Sequence, residues 1–379
     1  FEIMDVCKIA DSKKIVEEHC EKIQSGINLE TGPLMKCVLF RTEEKDLLLI
    51  VIHHLVIDGV SWRILLEDLN YGYSLALNKE EIKFPLKTDS FKKYAEDIMK
   101  YSVSPEVLNE RGYWQKIIDN SFCESSDRKI LLKYAKNEIL VIEKELTEKI
   151  LKSVHFAYNT KINDILLTAL ADGFEKSFGK ENLLVELETH GRDEILREVN
   201  ISRTIGWFTA MYPLILKNYD DISKSIKETK ELLRRVPNNG IGYGILKYLT
   251  DSDHKKTMLF DKIRPYVLFN YLGEVSSNEQ SKSIFNFSQM SSGQNISGDF
   301  ELQHPIEINA VTVDYNINFN ITYNPEIYTE KEIKSFRDNY RKALIKIAEH
   351  CILKTERENT PGDYTDCPLE LGEYEDAIK

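Results

Sequence analysis

This sequence carries no excess of positive charge. Lys and Arg total 50 against 62 Asp and Glu, a net charge of -12. No basic stretch is interleaved with aromatics, which excludes a protein built around a nucleic-acid footprint. Long apolar runs are absent as well. Leu47 to Ile52, one of the longest, falls far short of the ~20 residues that span a bilayer, so no membrane partner is expected. The six cysteines, Cys7, Cys20, Cys37, Cys123, Cys351 and Cys367, form no C-x-x-C pair and none sits at zinc-ligand spacing with a histidine. That leaves no metal site to propose. A chain of this size needs no disulfide staples, and reduced, mostly buried thiols in a cytoplasmic protein are expected. The opening Phe1-Glu2-Ile3-Met4 lacks the layout of a signal peptide. What remains is the make-up of an ordinary globular protein: 42% hydrophobic, 30% charged and 379 residues, enough for two domains or two large halves of one.

Periodicity supplies the elements. Ser12 to Ile23 places Ile15, Val16, His19, Cys20 and Ile23 on one helical face, stopped near Gly26. Met35 to Phe40 and Leu47 to Ile52 read as an antiparallel hairpin around the charged turn Arg41 to Asp46. Trp62, Leu65, Leu66, Leu69 and Tyr73 then fall at helical spacing, with Asp58 or Ser61 as N-cap. Lys83 to Asn120 reads as polar helices and loops around Pro85 and Pro105.

A second α/β unit begins near residue 135. Ile139 to Leu146 is strand-like, with Thr147 capping a helix to Tyr158 and Asn163 capping another that ends at Gly179. Leu183 to Leu187 reads as a strand running into Glu188-Thr189-His190-Gly191-Arg192. Ile317, Phe319, Ile321 and Tyr323 alternate as a half-buried strand. Thr329 and Glu332 form a capping box before a long helix, and the charged, turn-rich stretch after Lys354 reads as a linker.

The chemistry concentrates where the apolar strand Leu47 to Ile52 ends, in His53-His54-Leu55-Val56-Ile57-Asp58-Gly59. A strand end is a place where a rigid scaffold can hold a base. This H-H-x-x-x-D-G pattern resembles the superfamily of chloramphenicol acetyltransferase and of the condensation and epimerization domains of nonribosomal peptide synthetases. Val60-Ser61-Trp62-Arg63-Ile64-Leu65 looks most like the epimerization branch. Further matches follow in that branch's order: Glu188 to Asp193, Ser202-Arg203-Thr204-Ile205-Gly206-Trp207-Phe208-Thr209, Val236 to Gly244, and Phe269-Asn270-Tyr271-Leu272-Gly273. Two positions depart from it. Thr189 stands where the family usually shows glycine, and the chain opens close to the strand pair before His53, so the first lobe reads as truncated by ~70–100 residues at typical domain sizes.

The resemblance implies an α/β fold of two chloramphenicol acetyltransferase-like lobes in a V shape, with the active site in the cleft between them. Residues 1–130 would form the N-terminal lobe, 131–354 the C-terminal lobe and 355–379 a linker. It implies epimerization, L to D, at the Cα of an aminoacyl or peptidyl thioester. The substrate would arrive on the 4'-phosphopantetheine arm of a peptidyl carrier protein domain, beside neighbouring synthetase modules, with no cofactor of the domain's own. Inversion removes a proton from one face and returns one to the other, which two acid-base groups can do. Residue by residue, the match makes His54 and Glu188 those groups. Asp58 paired with Arg192 would position the histidine loop, and His53 would pack or hydrogen-bond. Asn270 and Tyr271 are candidates to hold the thioester or an enolate-like oxygen, with core packing the other reading for Tyr271. Tyr243, in a glycine-rich segment read as a loop between lobes, joins Trp207 as a substrate-positioning candidate. Trp207 and Phe208 either wall the substrate side chain or fill core, and His190 either orients the glutamate loop or is structural. The rivals are a condensation domain forming an amide bond and a non-catalytic carrier-docking module.

Overall fold

The short apolar segments early in the chain form the first sheet. It holds β1 (Glu2–Asp5), β2 (Met35–Arg41) and β3 (Leu47–Ile52) in that order. β1 runs parallel to β2, and β2 and β3 form the expected antiparallel hairpin, Met35 opposite Ile52 and Phe40 opposite Leu47. Helix α1 (Ser12–Ser25) buries Val16 and Cys20 on Val6, Val38 and Phe40. β3 ends at Ile52, His53 caps a single 3₁₀ turn, and the chain then enters α2 (Gly59–Leu77), capped by Asp58. Helix α3 (Phe91–Tyr101) follows.

The computed structural model describes residues 1–9, 11–121, 129–250, 260, 263–275, 283–364 and 369–378. Cys123 and Cys367 lie outside them, and the other four cysteines are free thiols. The chain divides into two units, Phe1–Glu96 with Leu196–Thr209 and Asn278–Phe300, and Asp97–Ile195 with Ala210–Ser277 and Glu301–Lys379. This differs from a single cut at 130/131. Residues 196–209 join the first unit because Thr204 bonds to Thr88 and to the Asp89 carbonyl, and Arg203 reaches Glu67 and Asp68. Residues 283–300 join it through Gln24 to the Ser292 carbonyl and Asn70 to Ser283.

The second unit begins at Asp97, within α3, and continues with α4 (Pro105–Asn109) and α5 (Arg111–Asn120). Its six-stranded sheet has the order β4-β9-β8-β7-β5-β6, with β4 (Lys136–Ile142), β5 (Asn182–Thr189), β6 (Ala210–Lys217), β7 (Val267–Val275), β8 (Ile306–Val313) and β9 (Asn316–Tyr323). β7 runs parallel to both neighbours, and the other pairs are antiparallel. After the short helices α6 (Lys144–Glu148) and α7 (His155–Tyr158) comes α8 (Ile162–Phe178), then α9 (Ile222–Arg234), α10 (Ile241–Gly244), α11 (Glu330–Ile352) and α12 (Leu371–Ala377). α8 and α11 cover one sheet face: the Phe319 ring meets Tyr340, and Glu138 meets Arg337.

Three local expectations change. β4 stops at Ile142, and Thr147 lies inside α6, where its hydroxyl donates to the Ile142 carbonyl and accepts from Ile317 N–H. α8 starts at Ile162, not at an Asn163 cap, because the Asp164 carboxylate takes the Lys161 N–H at 2.6 Å. The segment after Lys354 is packed rather than a free linker. Lys230, fully buried, donates to Asp363 at 2.5 Å and to the Tyr158 carbonyl at 2.8 Å, and Gly362 N–H donates to Glu231. The Thr329–Glu332 capping box forms as the sequence predicts.

Candidate active site

In the first unit, the strand-to-helix junction is held by its own backbone. His53 Nδ1 accepts the Leu55 N–H at 3.2 Å, which starts the turn and leaves His54 exposed on it. Asp58 is 3% exposed and spends its two oxygens differently: Oδ1 accepts Ser61 N–H at 2.7 Å, capping α2, and Oδ2 accepts Phe208 N–H at 3.0 Å. Ser61 adds a reciprocal pair, its hydroxyl donating to the Gly206 carbonyl and accepting Gly206 N–H. Gly206 must be glycine here, since a Cβ would lie 2.3 Å from the Phe91 ring. The bolted strap sets Trp207, 42% exposed, against the His54 ring at 5.1 Å between centroids. Phe208 fills core between Phe91 and Tyr94.

In the second unit, alternation along the strands sorts the candidates by face. Glu188, near the end of β5, stands on the face opposite α8 and α11. Asn270, beside it on β7, donates to its carboxylate at 2.5 Å. That charge-assisted bond fixes the direction of the carboxylate. Tyr271, one residue on, points to the other face and shares a 2.8 Å hydrogen bond with the buried Thr312 hydroxyl. Burial pushes its phenol pKa up. The side chains of Asn270 and Tyr271 thus stand on opposite faces of the sheet. His190 Nδ1 accepts Arg192 N–H at 3.0 Å, closing the turn after Glu188, and the Thr189 hydroxyl reaches the Asn239 carbonyl.

The segment expected as a loop between lobes is helical and internal to the second unit. Asn238 and Asn239 take left-handed backbone, and α10 follows directly. Tyr243 is 3% exposed, with its ring on Trp114 and Phe260. Gly242 is there for space: a Cβ would lie 2.0 Å from the Glu110 carboxylate. Burial pushes the Glu110 pKa up, against hydrogen bonds from Trp114 and Asn238. Nothing in the sequence pattern marked Glu110.

A second polar cluster shares the Glu188 face. His304 is 7% exposed and bonds Glu186 at 2.8 Å, with Glu307 at 3.8 Å. Burial pulls the imidazole down, but the hydrogen bonds and charges of the two glutamates outweigh it, and the pKa is pushed up to about 9. Among the described residues, no group of three or more His, Cys, Asp or Glu could hold a metal ion, and no helix is long and apolar enough to cross a membrane.

Comparison with known proteins agrees with this picture. The epimerization domain from the third module of tyrocidine synthetase B superposes with a TM-score of 0.85 at 40% identity, covering 94% of this chain and 80% of that one. The first condensation domain of the CDA synthetase shares the fold, with a TM-score of 0.61 at 15% identity over 93% of this chain and 74% of the other. Tyrocidine synthase 2 of Brevibacillus parabrevis is 40% identical over the whole chain, and gramicidin S synthase 1 of Brevibacillus brevis is 38% identical. The chain spans only 11% and 36% of those two relatives. The Condensation domain model matches residues 1–369. The two-lobed α/β chain, with its histidine junction on one unit and its glutamate strand on the other, belongs to the Condensation domain family.

Proposed function

We propose that this domain epimerizes, L to D, the Cα of an aminoacyl or peptidyl thioester carried on the 4'-phosphopantetheine arm of a carrier protein. The carrier would belong to a nonribosomal peptide synthetase whose other modules flank the domain. The observation that carries this reading is the carboxylate of Glu188, directed by Asn270, in a chain 40% identical to an epimerization domain. The thioester carbonyl acidifies the Cα–H. One group takes that proton, the electron pair moves onto the carbonyl as an enolate, and the other group returns a proton to the opposite face. His54 and Glu188 are those two groups in this proposal. His53, Asp58 and Arg192 are structural residues around them, and Trp207 borders the substrate. Asn270 directs Glu188 rather than gripping the thioester. Tyr271 and Tyr243, one bonded to Thr312 on β8 and one buried, are assigned to the frame.

The rival is amide-bond formation, favoured only by the family's broader description. A carrier loaded with an L-aminoacyl or L-peptidyl thioester and incubated with the folded domain in D₂O separates the two. Epimerization predicts deuterium at Cα and a mixture of D and L product by chiral analysis. Retained configuration with no deuterium, together with an amide product when an acceptor is supplied, would sink this reading.

A further inference from the structure

Asparagine is depleted in β-strands, because its side chain competes for backbone hydrogen bonds and packs poorly on a pleated surface. Yet three asparagines occupy one register of the second unit's sheet. Asn270 on β7 pairs with Asn309 on β8, and Asn309 pairs with Asn320 on β9. Glu188 continues the row on β5 through its bond from Asn270, and Ile139 on the edge strand β4 closes it opposite Asn320. The row therefore reads carboxylate, amide, amide, amide, isoleucine. Local rules fail most often where a protein needs a site.

The row has the chemistry of a peptide subsite. Asn309 is half-buried and Asn320 exposed, and neither side-chain amide has a hydrogen-bond partner among the described residues. Each offers a donor and an acceptor to a peptide group. The row carries no charge beyond Glu188; the neighbouring carboxylates Glu186 and Glu307 face His304 instead, at 2.8 and 3.8 Å. Three interstrand steps of about 4.8 Å separate Glu188 from Asn320, roughly 14 Å, or about four extended residues. At the far end Ile139 is 63% exposed and Val141, two residues on, 38% exposed. That leaves an apolar platform beside the last amide.

We infer that Asn309 and Asn320 bind the peptide portion of a peptidyl thioester extending from Glu188, with an apolar side chain resting on Ile139 and Val141. The inference rests on the epimerase reading and narrows its substrate to a peptidyl chain.

The experiment loads one carrier protein with L-aminoacyl, dipeptidyl, tripeptidyl, tetrapeptidyl and pentapeptidyl thioesters that share the residue at the thioester. Deuterium exchange at Cα is then followed with the unaltered domain. The expected result is a kcat/KM rising about tenfold or more from aminoacyl to tetrapeptidyl, mostly through KM, with no gain beyond about four residues. In Asn309→Ala/Asn320→Ala the tetrapeptidyl-to-aminoacyl ratio should fall at least fivefold. Exchange independent of chain length would overturn the subsite while leaving the epimerase reading intact. A ratio unmoved in the double variant would also overturn it. Absence of exchange with every substrate would overturn both. The length series needs no variant, so the test stands even if the double variant folds poorly.

Discussion

The two units hold their candidate acid-base groups by opposite means. His54 sits on an exposed turn with contiguous supports, His53 capping the turn and Asp58 capping the next helix, and with the strap at 206–208 coming from afar. Glu188 lies in regular strand, and its support is a side chain 82 residues away, brought beside it by strand register. The first arrangement fixes a position through backbone turns. The second fixes a direction through a charge-assisted bond from the neighbouring strand. A group held by its own loop survives small changes elsewhere, whereas one held by register depends on the pairing of β5 with β7.

The sharpest way to break that contrast is to remove each group in turn. His54→Ala should lower L-to-D conversion about 10²-fold or more while melting within about 0.5 kcal/mol of the parent, since the side chain is exposed. Glu188→Gln should slow Cα exchange from one enantiomer more than from the other. Equal slowing of both in each variant, read by deuterium incorporation, would deny the two groups separate faces.

Asp58→Ala tests the first unit's frame. It strands the Phe208 N–H and removes the α2 cap, at about 1–3 kcal/mol for the buried donor and about 1 kcal/mol for the cap. Thermal melts should report a loss of about 2–4 kcal/mol. Tryptophan emission should shift to the red as the strap frees Trp207.

The corresponding test of the second unit is pH. His304 has a folded pKa of about 9, above the ordinary value near 6.5. Its contribution is therefore complete below about 6.5 and fades as pH rises through about 9. Unfolding measured from pH 6 to 10 should show about 2–3 kcal/mol lost on the alkaline side, and His304→Gln should flatten that limb.

The smallest effect belongs to Asn270→Ala. It should cost about tenfold in exchange, roughly 1.4 kcal/mol of activation free energy. Asn270→Ser, which can still donate, should recover part of it. Full activity in the alanine variant would mean that register alone directs Glu188.

What could be read from sequence follows the same division. The hairpin, the Asp58 cap and the Thr329 capping box depend on residues a few positions apart, so spacing reveals them. His53 and His54 announce themselves as a pair at a strand's end. The grip of Asn270 on Glu188, the bond of Tyr271 to Thr312, and the Glu110 network under Gly242 depend on which strands and helices become neighbours. Periodicity carries no such information. The glycine-rich segment misleads for a related reason: its glycines serve close approach as well as turning, and the chain around them is helical.

The first unit is assembled from three stretches, the last beginning at residue 278. Ribosomal synthesis delivers them in order, so the sheet of β1 to β3 emerges long before the strap that seats on Asp58 and Ser61. Met290, which packs on the first unit's core, arrives later still. Of the two units, the one whose sheet emerges first is thus completed late, and Val16, Val38 and Phe40 wait for their full covering until Met290 has been made. A piece cut after Glu96 would carry the histidine junction but neither of the later stretches that finish it. Neither unit can be lifted out by one cut, because the two are interleaved along the chain.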